Sequence, residues 1–358
     1  MMIFFVSVSA VYFLLVLACC VLFFRCKTPE TKDFDIKISV LVSAKNEEEN
    51  IEKFLRCIEN QSFKNFTLVL IDDNSTDSTF EKALNFGLKN LVLKKNPFSG
   101  KKSALKYGME FCSGEYVFLT DADCFPEKDW LKTLVFTAKN QNADMVLSPV
   151  IITAPDSEKC FQRLWQAEGF SFITVTAGTC VFGQPVMSNG GNIGYKTEFF
   201  KNNILGLNAA YSSGDDMFML ETAQKMRKKI VYSKLSASAV ETFGVETMKE
   251  LFNQRSRWVS KTGGYRRVFT LFFAAVVFFA NIDIIVLTVL SAFGITDFWL
   301  LVAAFFLKFF VDFLSVKIPS KYYSRPQKFS DIFILALVYP YYVFGAVFMY
   351  FFKGFKWK

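Results

Sequence analysis

Apolar residues follow two different patterns along the chain. Between about residues 36 and 266, short apolar runs alternate with amphipathic segments, whereas both ends are nearly all apolar. Four short runs predict buried strands: Ile38–Val42, Phe66–Ile71, Leu91–Leu93 and Tyr116–Thr120. Three segments between them predict helices: Glu47–Asn60 with Asn46 as its cap, Thr79–Phe86 and Lys101–Cys112. This alternation predicts a parallel, Rossmann-like sheet.

Beyond about Met145 the pattern is less regular. Val186–Gly194 is rich in Gly and Asn, which predicts a binding loop or a tight turn. A helix pattern covers Met217–Lys228 and is preceded by Asp215 and Asp216. Met248–Trp258 is amphipathic, and we predict an interfacial helix near residues 246-262.

The apolar ends predict membrane segments. Ile3–Phe24 is long enough to span a bilayer. The alternative interpretation is a signal peptide, which would need a basic segment at its start, and no basic residue precedes Arg25. Three further runs, of which two to three are predicted to be transmembrane, lie near Val268–Leu290, Phe298–Val316 and Ile332–Phe352. The predicted domains are therefore residues 1-25, 36-266 and 267-353. Lys308 and Asp312 lie four residues apart, so they can pair within a helix or face protein.

Basic residues set the predicted topology. The cluster after the first run places the following domain in the cytoplasm by the positive-inside rule: Arg25, Lys27, Lys32 and Lys37. Four full spans would put Lys353, Lys356 and Lys358 outside, against that rule. Pro340 lies within the last run, so this run can also form a re-entrant segment instead of a full span. The C-terminal topology is therefore not decided by the sequence.

Composition narrows the chemistry. The chain is 52% hydrophobic and 17% aromatic, which is typical of membrane proteins. It has no histidine, which excludes a histidine base, a Ser-His-Asp triad and histidine metal ligands. The eight cysteines form no C-x-x-C pair, so a zinc ribbon is not expected. The net charge of +8 suits an anionic membrane surface or a phosphorylated substrate, and no basic, aromatic stripe supports a nucleic-acid partner.

Three acidic pairs follow predicted strands or precede a helix: Asp72-Asp73, Asp121-x-Asp123 and Asp215-Asp216. Open α/β sheets bind ligands beyond the carboxyl ends of their strands. Two carboxylates there can hold a hard divalent cation, and that cation can hold a diphosphate. Each pair also has a purely structural reading. Asp121-x-Asp123 alone is typical of a solvated turn. Asp72-Asp73 is also typical of an Asx-turn, and Asp215-Asp216 is typical of a helix cap.

Together the motifs resemble the membrane-bound family 2 glycosyltransferases, the group that contains cellulose, chitin and hyaluronan synthases. Ser43–Glu47 is similar to the first loop of that family, and Asp72–Thr79 is similar to its D-D-x-S-x-D-x-T motif. Gly100–Leu105 and Gly114–Asp123 resemble the run into its D-x-D. Gly214-Asp-Asp216 and Gln254-x-x-Arg257-Trp258 stand where the family has its base motif and its Q-x-x-R-W motif. The resemblance covers about residues 38 to 260 and implies a GT-A fold, an α/β domain with a Rossmann-like mixed sheet, flanked by transmembrane helices.

The resemblance also implies roles for individual residues. Asp216 is the predicted catalytic base, with Asp215 orienting it, because a chain without histidine needs a carboxylate for this step. Asp123 is the preferred ligand of Mg²⁺ or Mn²⁺, and Asp121 contacts the ribose, the diphosphate or the metal. The predicted nucleotide-binding set is Ala44, Glu47, Asp72, Asp73, Lys102 and Asp121. Gln254, Arg257 and Trp258 are assigned to the diphosphate and the acceptor; the rival reading makes Arg257 and Trp258 interfacial anchors.

The predicted function is transfer of a sugar, with inversion, from a nucleotide-sugar, preferably a UDP-sugar, to a lipid-linked or membrane-associated glycan. The expected location is the cell inner membrane, with several spans and a cytoplasmic catalytic domain, in polysaccharide or cell-envelope biosynthesis. The alternatives are a processive synthase subunit that needs a homo-oligomer or an export partner, and a non-catalytic subunit that binds nucleotide-sugar. A transporter fits a large polar domain poorly.

Overall fold

In the computed structural model the chain is described over residues 2–27, 34–154, 156, 159–204 and 214–353. Contacts divide it into two units. We call Cys26–Thr153 with Met187–Phe243 the sheet unit. The helical unit comprises Met1–Arg25, Ala154–Val186 and Gly244–Lys358. Lys32, Lys356 and Lys358, which the topology prediction uses, lie outside the described residues.

The sheet unit contains ten strands and six helices among its described residues. The strands are β1 Ile38–Ala44, β2 Phe66–Asp72, β3 Leu91–Lys95, β4 Tyr116–Thr120, β5 Cys124–Pro126, β6 Met145–Leu147, β7 Val150–Thr153, β8 Asn192–Lys196, β9 Ile230–Tyr232 and β10 Val240–Phe243. The helices are α2 Ile51–Glu59, α3 Thr79–Asn85, α4 Lys101–Gly108, α5 Trp130–Asn140, α7 Thr197–Ile204 and α8 Asp215–Lys225.

Seven strands form the main sheet in the order β3-β2-β1-β4-β8-β6-β9, and β5, β10 and β7 form a small second sheet. Strands β1 to β4 are parallel where they pair, whereas β8 is antiparallel to both β4 and β6. The Rossmann-like mixed sheet of the predicted fold class is therefore confirmed. Because the middle of the sheet is buried on both faces, its central strands are mostly apolar; Val40, Phe118 and Leu68 are fully buried.

The predicted strands are all present, but some helix limits differ. Helix α2 begins at Ile51, and its cap position is Asn50, so the prediction that Asn46 caps it is wrong. Asn46 instead adopts a positive φ of 55°, and its side-chain oxygen accepts from the backbone N–H of Thr76. Helix α4 ends at Gly108 and continues as a 3₁₀ turn.

The helical unit contains six helices among its described residues: α1 Met2–Arg25, α6 Cys160–Val181, α9 Met248–Lys261, α10 Val268–Ala292, α11 Phe298–Tyr322 and α12 Phe329–Lys353. Four of these, α1, α10, α11 and α12, are long and apolar enough to cross a membrane. A helix of 25 residues is about 37 Å long, which exceeds the hydrocarbon core of a bilayer. Helix α12 continues through Pro340 without a break.

Close approach and polar pairs hold the helical unit together. A Cβ on Gly178 of α6 would lie 2.5 Å from the Cα of Cys19 in α1, so only glycine permits this approach. Lys308 pairs with Asp312, as the spacing predicts, and the hydroxyl of Tyr12 donates to the same carboxylate. Helix α9 begins with a capping box formed by Thr247 and Glu250.

Candidate active site

The carboxyl ends of β1, β2 and β4 meet at one edge of the main sheet because these strands are parallel. Ala44, the last residue of β1, lies beside Asp72, the last residue of β2. Leu41 of β1 lies beside Leu119, one residue before β4 ends at Thr120. Two of the three acidic pairs therefore leave the sheet at the same edge, as expected for a ligand site in an open α/β sheet.

The adjacent aspartates Asp72 and Asp73 are used differently. Both are buried, with 2% and 3% of their surface exposed. Asp73 accepts from the backbone N–H of Gly100 through both oxygens, at 2.9 and 3.1 Å, and from the amide of Asn96 at 2.7 Å. Asp72 accepts from the N–H of Ser75, but its other oxygen is buried without a hydrogen-bond partner. Asp73 is therefore committed to the fold, whereas Asp72 keeps an acceptor available for a ligand.

Hydrogen bonds join the loops after β1 and β2. The backbone N–H of Glu47 donates to the hydroxyl of Thr79 at 2.8 Å, and the N–H of Glu48 donates to Asp77 at 3.1 Å. The Glu47 carboxylate accepts from the amide of Asn50. Burial raises the pKa of Glu47 to about 7, and the charges of Asp123 and Asp121 add to the rise. The rise indicates that the Glu47 side chain lies in the field of the D-x-D carboxylates.

Asp121 and Asp123 follow β4 and form a cluster with Cys124. One ligand atom from each of the three side chains lies within 4.8 Å of the others. Burial raises the pKa of Asp123, and the negative charge of Asp121 raises it further. Two carboxylates held this close repel each other unless a cation lies between or beside them.

A lysine lies against this cluster. The ammonium of Lys101, the first residue of α4, pairs with a carboxylate oxygen of Asp121 at 2.5 Å. Burial by itself lowers the pKa of Lys101, but the charges of Asp121, Asp215 and Asp216 outweigh burial and raise it. Lys101 therefore remains protonated and lies in the field of both acidic pairs.

The Gly-rich loop connects the D-x-D to the third acidic pair. The backbone N–H of Gly190 donates to a carboxylate oxygen of Asp216 at 3.2 Å. A Cβ on Gly191 would lie 3.1 Å from the sulfur of Cys124 and 3.7 Å from an oxygen of Asp121. A Cβ on Gly190 would lie 3.8 Å from an oxygen of Asp215. The structure thus brings Asp121, Asp123, Asp215 and Asp216 into one site.

Hydrogen bonds of the Asn192 side chain anchor the end of this loop. Its side-chain amide donates to the carbonyl oxygens of Pro149 and Ser238, at 2.7 and 2.8 Å, and its oxygen accepts from the indole N–H of Trp130. Asp215 and Asp216 are the first two residues of α8, whose cap position, Gly214, has a φ of 93°.

The donor atoms fit an oxygen-preferring cation. Burial, together with the charges of Asp123 and Asp121, raises the pKa of the Cys124 thiol well above its usual value, and hard cations prefer oxygen ligands to sulfur. The effective ligands are then the carboxylates of Asp121 and Asp123. Carboxylate oxygens suit Mg²⁺ and Mn²⁺ better than softer metals.

The Q-x-x-R-W residues belong to the helical unit, where they lie on α9. The buried arginine of this segment is Arg255, which pairs with Glu168 of α6 at 2.5 Å and donates to the hydroxyl of Tyr342. Its guanidinium carbon lies 4.0 Å from the ring centre of Trp258. Arg257 is half-buried, and the side-chain oxygen of Gln254 is buried without a hydrogen-bond partner.

The structure adds two features of the site to the sequence prediction. Lys101, which is not among the predicted site residues, contacts Asp121, whereas the ammonium of Lys102, a predicted nucleotide-binding residue, lies 5.0 Å from the ring centre of Phe218. Gly190 and Gly191 pack against both acidic pairs. The clustering of Gly and Asn at 189–192 was the available signal for the loop, whereas nothing in the sequence separates Lys101 from Lys102.

Comparison with known proteins identifies related sequences. Residues 39–202 match the model of the glycosyl transferase family 2. The glycosyltransferase AglE of Haloferax volcanii is 30% identical over 131 residues, which are 35% of this chain and 43% of that protein. The cholesterol galactosyltransferase of Borreliella burgdorferi is 32% identical over 120 residues, 32% of this chain and 33% of that protein. The matched segments thus span less than half the length of these relatives.

One solved structure matches nearly the whole chain. It is the mannosyltransferase PcManGT from Pyrobaculum calidifontis, in complex with GDP-Man and Mn²⁺. The match covers 95% of this chain and 99% of that chain, with a TM-score of 0.61 and 16% identity. The likeness shows a shared fold, and with the family match it confirms the predicted GT-A fold.

Proposed function

We propose that this chain, of which residues 39–202 match the model of glycosyl transferase family 2, transfers a sugar from a nucleotide-sugar to a membrane-associated acceptor. The observation that carries the proposal is the convergence of Asp121, Asp123, Asp215 and Asp216 around Lys101 at the carboxyl edge of the sheet. A site with this surplus of acid suits a cation and a diphosphate. It also leaves a carboxylate to act as a base.

Asp72 is our choice for recognising the base or ribose of the donor, because one of its buried oxygens has no hydrogen-bond partner. Ala44 lies beside it, and Glu47 and Lys102 remain predicted nucleotide contacts. UDP-sugars are the first donors to test. GDP-mannose is the second, because PcManGT, which shares the fold, was solved with GDP-Man.

Asp123 and Asp121 would hold Mg²⁺ or Mn²⁺ through carboxylate oxygens. When bound, the cation supplies Lewis-acid stabilisation of the charge that develops on the leaving diphosphate. The chain's own contribution is to position both carboxylates directly after β4 and to pack the Gly190–Gly191 loop against them.

Asp216 is the proposed general base. It would accept the proton of the acceptor hydroxyl as that oxygen attacks the anomeric carbon. The N–H of Gly190 donates to one Asp216 oxygen and so orients the carboxylate, while Asp215 lies beside it at the start of α8. Direct attack from the face opposite the leaving group inverts the anomeric configuration.

The four apolar helices support an acceptor at the membrane. Arg25 ends α1 and the basic residues Lys27 and Lys37 follow it, which favours a cytoplasmic sheet unit and, in a bacterium, the inner membrane. A lipid-linked glycan is the acceptor class that fits this arrangement. Gln254, Arg257 and Trp258 remain proposed contacts of the diphosphate and the acceptor. Their motif also favours a processive synthase as the second candidate, and the length of the product on a gel separates the two.

The test is turnover of a panel of UDP- and GDP-sugars by membranes that contain the full chain. We expect cation-dependent release of the nucleoside diphosphate and labelling of a lipid-extractable product. Asp123→Asn and Asp216→Asn should each lower both signals by about 10²-fold or more. Full activity in both variants would exclude the proposed site.

A further inference from the structure

Hydrogen bonds to the backbone of Gly100 fix the position of Lys101 beside the acidic cluster. Gly100, which precedes it, has a φ of 101°, and its N–H is held by both oxygens of Asp73. The hydroxyl of Ser103 donates to the carbonyl oxygen of Gly100 at 2.7 Å. These bonds fix the first turn of α4. The long side chain beyond the Cα stays about one-third exposed and makes its ion pair with Asp121.

The Asp121 carboxylate has two possible partners, the ammonium of Lys101 and the divalent cation. Asp121 is one of the two carboxylates that would hold the divalent cation, and in this structure one of its oxygens accepts from the ammonium of Lys101. An ammonium and a divalent cation repel each other at this separation, by Coulomb's law. Binding of one at Asp121 therefore opposes binding of the other.

A second pair of carboxylates lies close to the ammonium of Lys101. Asp215 and Asp216 lie within its electrostatic reach. A Cβ on Gly190 would lie 3.8 Å from an oxygen of Asp215 and 3.9 Å from the ammonium nitrogen of Lys101, so the two side chains approach the same point. A flexible lysine stem with three donors can move between carboxylates that are this close.

We propose that Lys101 is the resident counter-cation of Asp121 in the metal-free enzyme, and that it leaves Asp121 for the Asp215–Asp216 pair when a divalent cation binds. This inference rests on the proposed function, since it takes Asp121 and Asp123 to be the cation site. Lys101 acts here as a positioning residue: it keeps the carboxylates from repelling each other before the cation and the donor arrive.

The experiment measures Mn²⁺ binding to the purified full chain without nucleotide, by the electron paramagnetic resonance signal of free Mn²⁺. Lys101→Met removes the competing charge, so we expect Kd for Mn²⁺ to fall about tenfold. Lys101→Arg keeps the charge and should retain a wild-type Kd within about threefold. Lys106→Met, which makes the same charge change further along α4, is the matched control and should leave Kd unchanged. If Lys101→Met does not fold, Lys101→Gln replaces it.

An unchanged or weaker Mn²⁺ affinity in Lys101→Met or Lys101→Gln would overturn the inference. If that result is found while sugar transfer still requires the cation and Asp123, the inference alone fails and the proposed function stands. If the wild-type chain binds no Mn²⁺ and transfers sugar without it, the proposed metal site fails as well. A merely structural role for Lys101 would lower stability without tightening Mn²⁺ binding.

Discussion

In the helical unit Arg255 lies 2.5 Å from Glu168 and Arg163 lies 3.1 Å from Asp331, whereas in the sheet unit Asp121 and Asp123 lie side by side. The first arrangement joins opposite charges one to one, which is how a charge can be buried at tolerable cost. The second places several carboxylates around the single ammonium of Lys101, and the remaining surplus of negative charge costs stability. This difference supports the proposal that the acidic cluster holds a ligand that brings positive charge, whereas the helical pairs serve the fold.

The largest effect should come from Asp123. Asp123→Asn removes one of the two carboxylates that would hold the cation. We expect kcat/KM for the donor to fall by about 10³-fold or more, since metal stabilisation of the leaving group is worth several kcal/mol. Asp129→Asn changes an exposed aspartate at the cap position of α5 and serves as the control. Equal activity in the two variants would make the cluster an ordinary turn.

Asp216→Asn should lower kcat by about 10² to 10⁴-fold, the range that general-base catalysis contributes. KM for the donor should change little, because the proposed base acts on the acceptor. Single-turnover kinetics of donor consumption would separate the two parameters, and Glu221→Gln on the same helix is the control. A rise in KM with an unchanged kcat would place Asp216 on the donor instead.

The helical side of the comparison is tested by Glu168→Gln. This change leaves the buried guanidinium of Arg255 without its carboxylate, which costs about 3–5 kcal/mol. The apparent Tm of the full chain in detergent should drop, and the double variant with Arg255→Met should recover part of the loss. The exposed pair Glu52–Arg56 is the matched control, with an expected change below about 0.5 kcal/mol. Lost transfer at unchanged Tm would mean that this pair belongs to the chemistry.

A smaller effect separates two neighbours. Asp73→Ala leaves the N–H of Gly100 and the amide of Asn96 without their acceptor, so stability should fall by about 1–3 kcal/mol. Asp72→Ala should instead raise KM for the donor by about tenfold while Tm changes little. Thermal unfolding and donor titration on both variants are each other's control. The reverse assignment of the two effects would contradict the hydrogen bonds that we describe.

The smallest effect is a pH dependence at Glu47. Its pKa is raised to about 7, so its neutral form favours the folded state, and the stability that it contributes at low pH is lost as pH rises through 7. Glu47→Gln should therefore become more stable than the wild type as pH increases from 5 to 8. Because Glu47 is partly exposed, we expect a gain below about 1 kcal/mol. A constant difference in Tm between pH 5 and pH 8 would show that Glu47 does not titrate in this range.

The sequence predicts the first half of the sheet unit well, because β1, β2 and β4 are largely buried on both faces and α2 has a clear apolar stripe. Helix α6 was not predicted. It is buried on several sides, and its buried residues include the polar Gln162, Glu168 and Thr174. Its sequence therefore does not separate into an apolar face and a polar face. Such a helix shows little periodicity in the sequence.

Roles that depend on side-chain direction were also beyond the sequence. Asp73 is held by a backbone N–H that lies 27 residues away, and this bond is visible only once the loops are folded. Lys101 and Lys102 are chemically identical neighbours, and the start of α4 decides which of them points to Asp121. On α9, Arg255 and Arg257 lie two residues apart and therefore face different directions, and burial distinguishes Arg255.

The central claim is that the acidic cluster of the sheet unit holds the cation of a glycosyl transfer reaction. A crystal structure of the full chain with Mn²⁺ and UDP or GDP, with anomalous data at the manganese edge, tests it most directly. We expect a peak at coordination distance from a carboxylate oxygen of Asp123 or Asp121, adjacent to the diphosphate, with Lys101 no longer bonded to Asp121. A nucleotide bound elsewhere, or no manganese peak at saturating Mn²⁺, would contradict it.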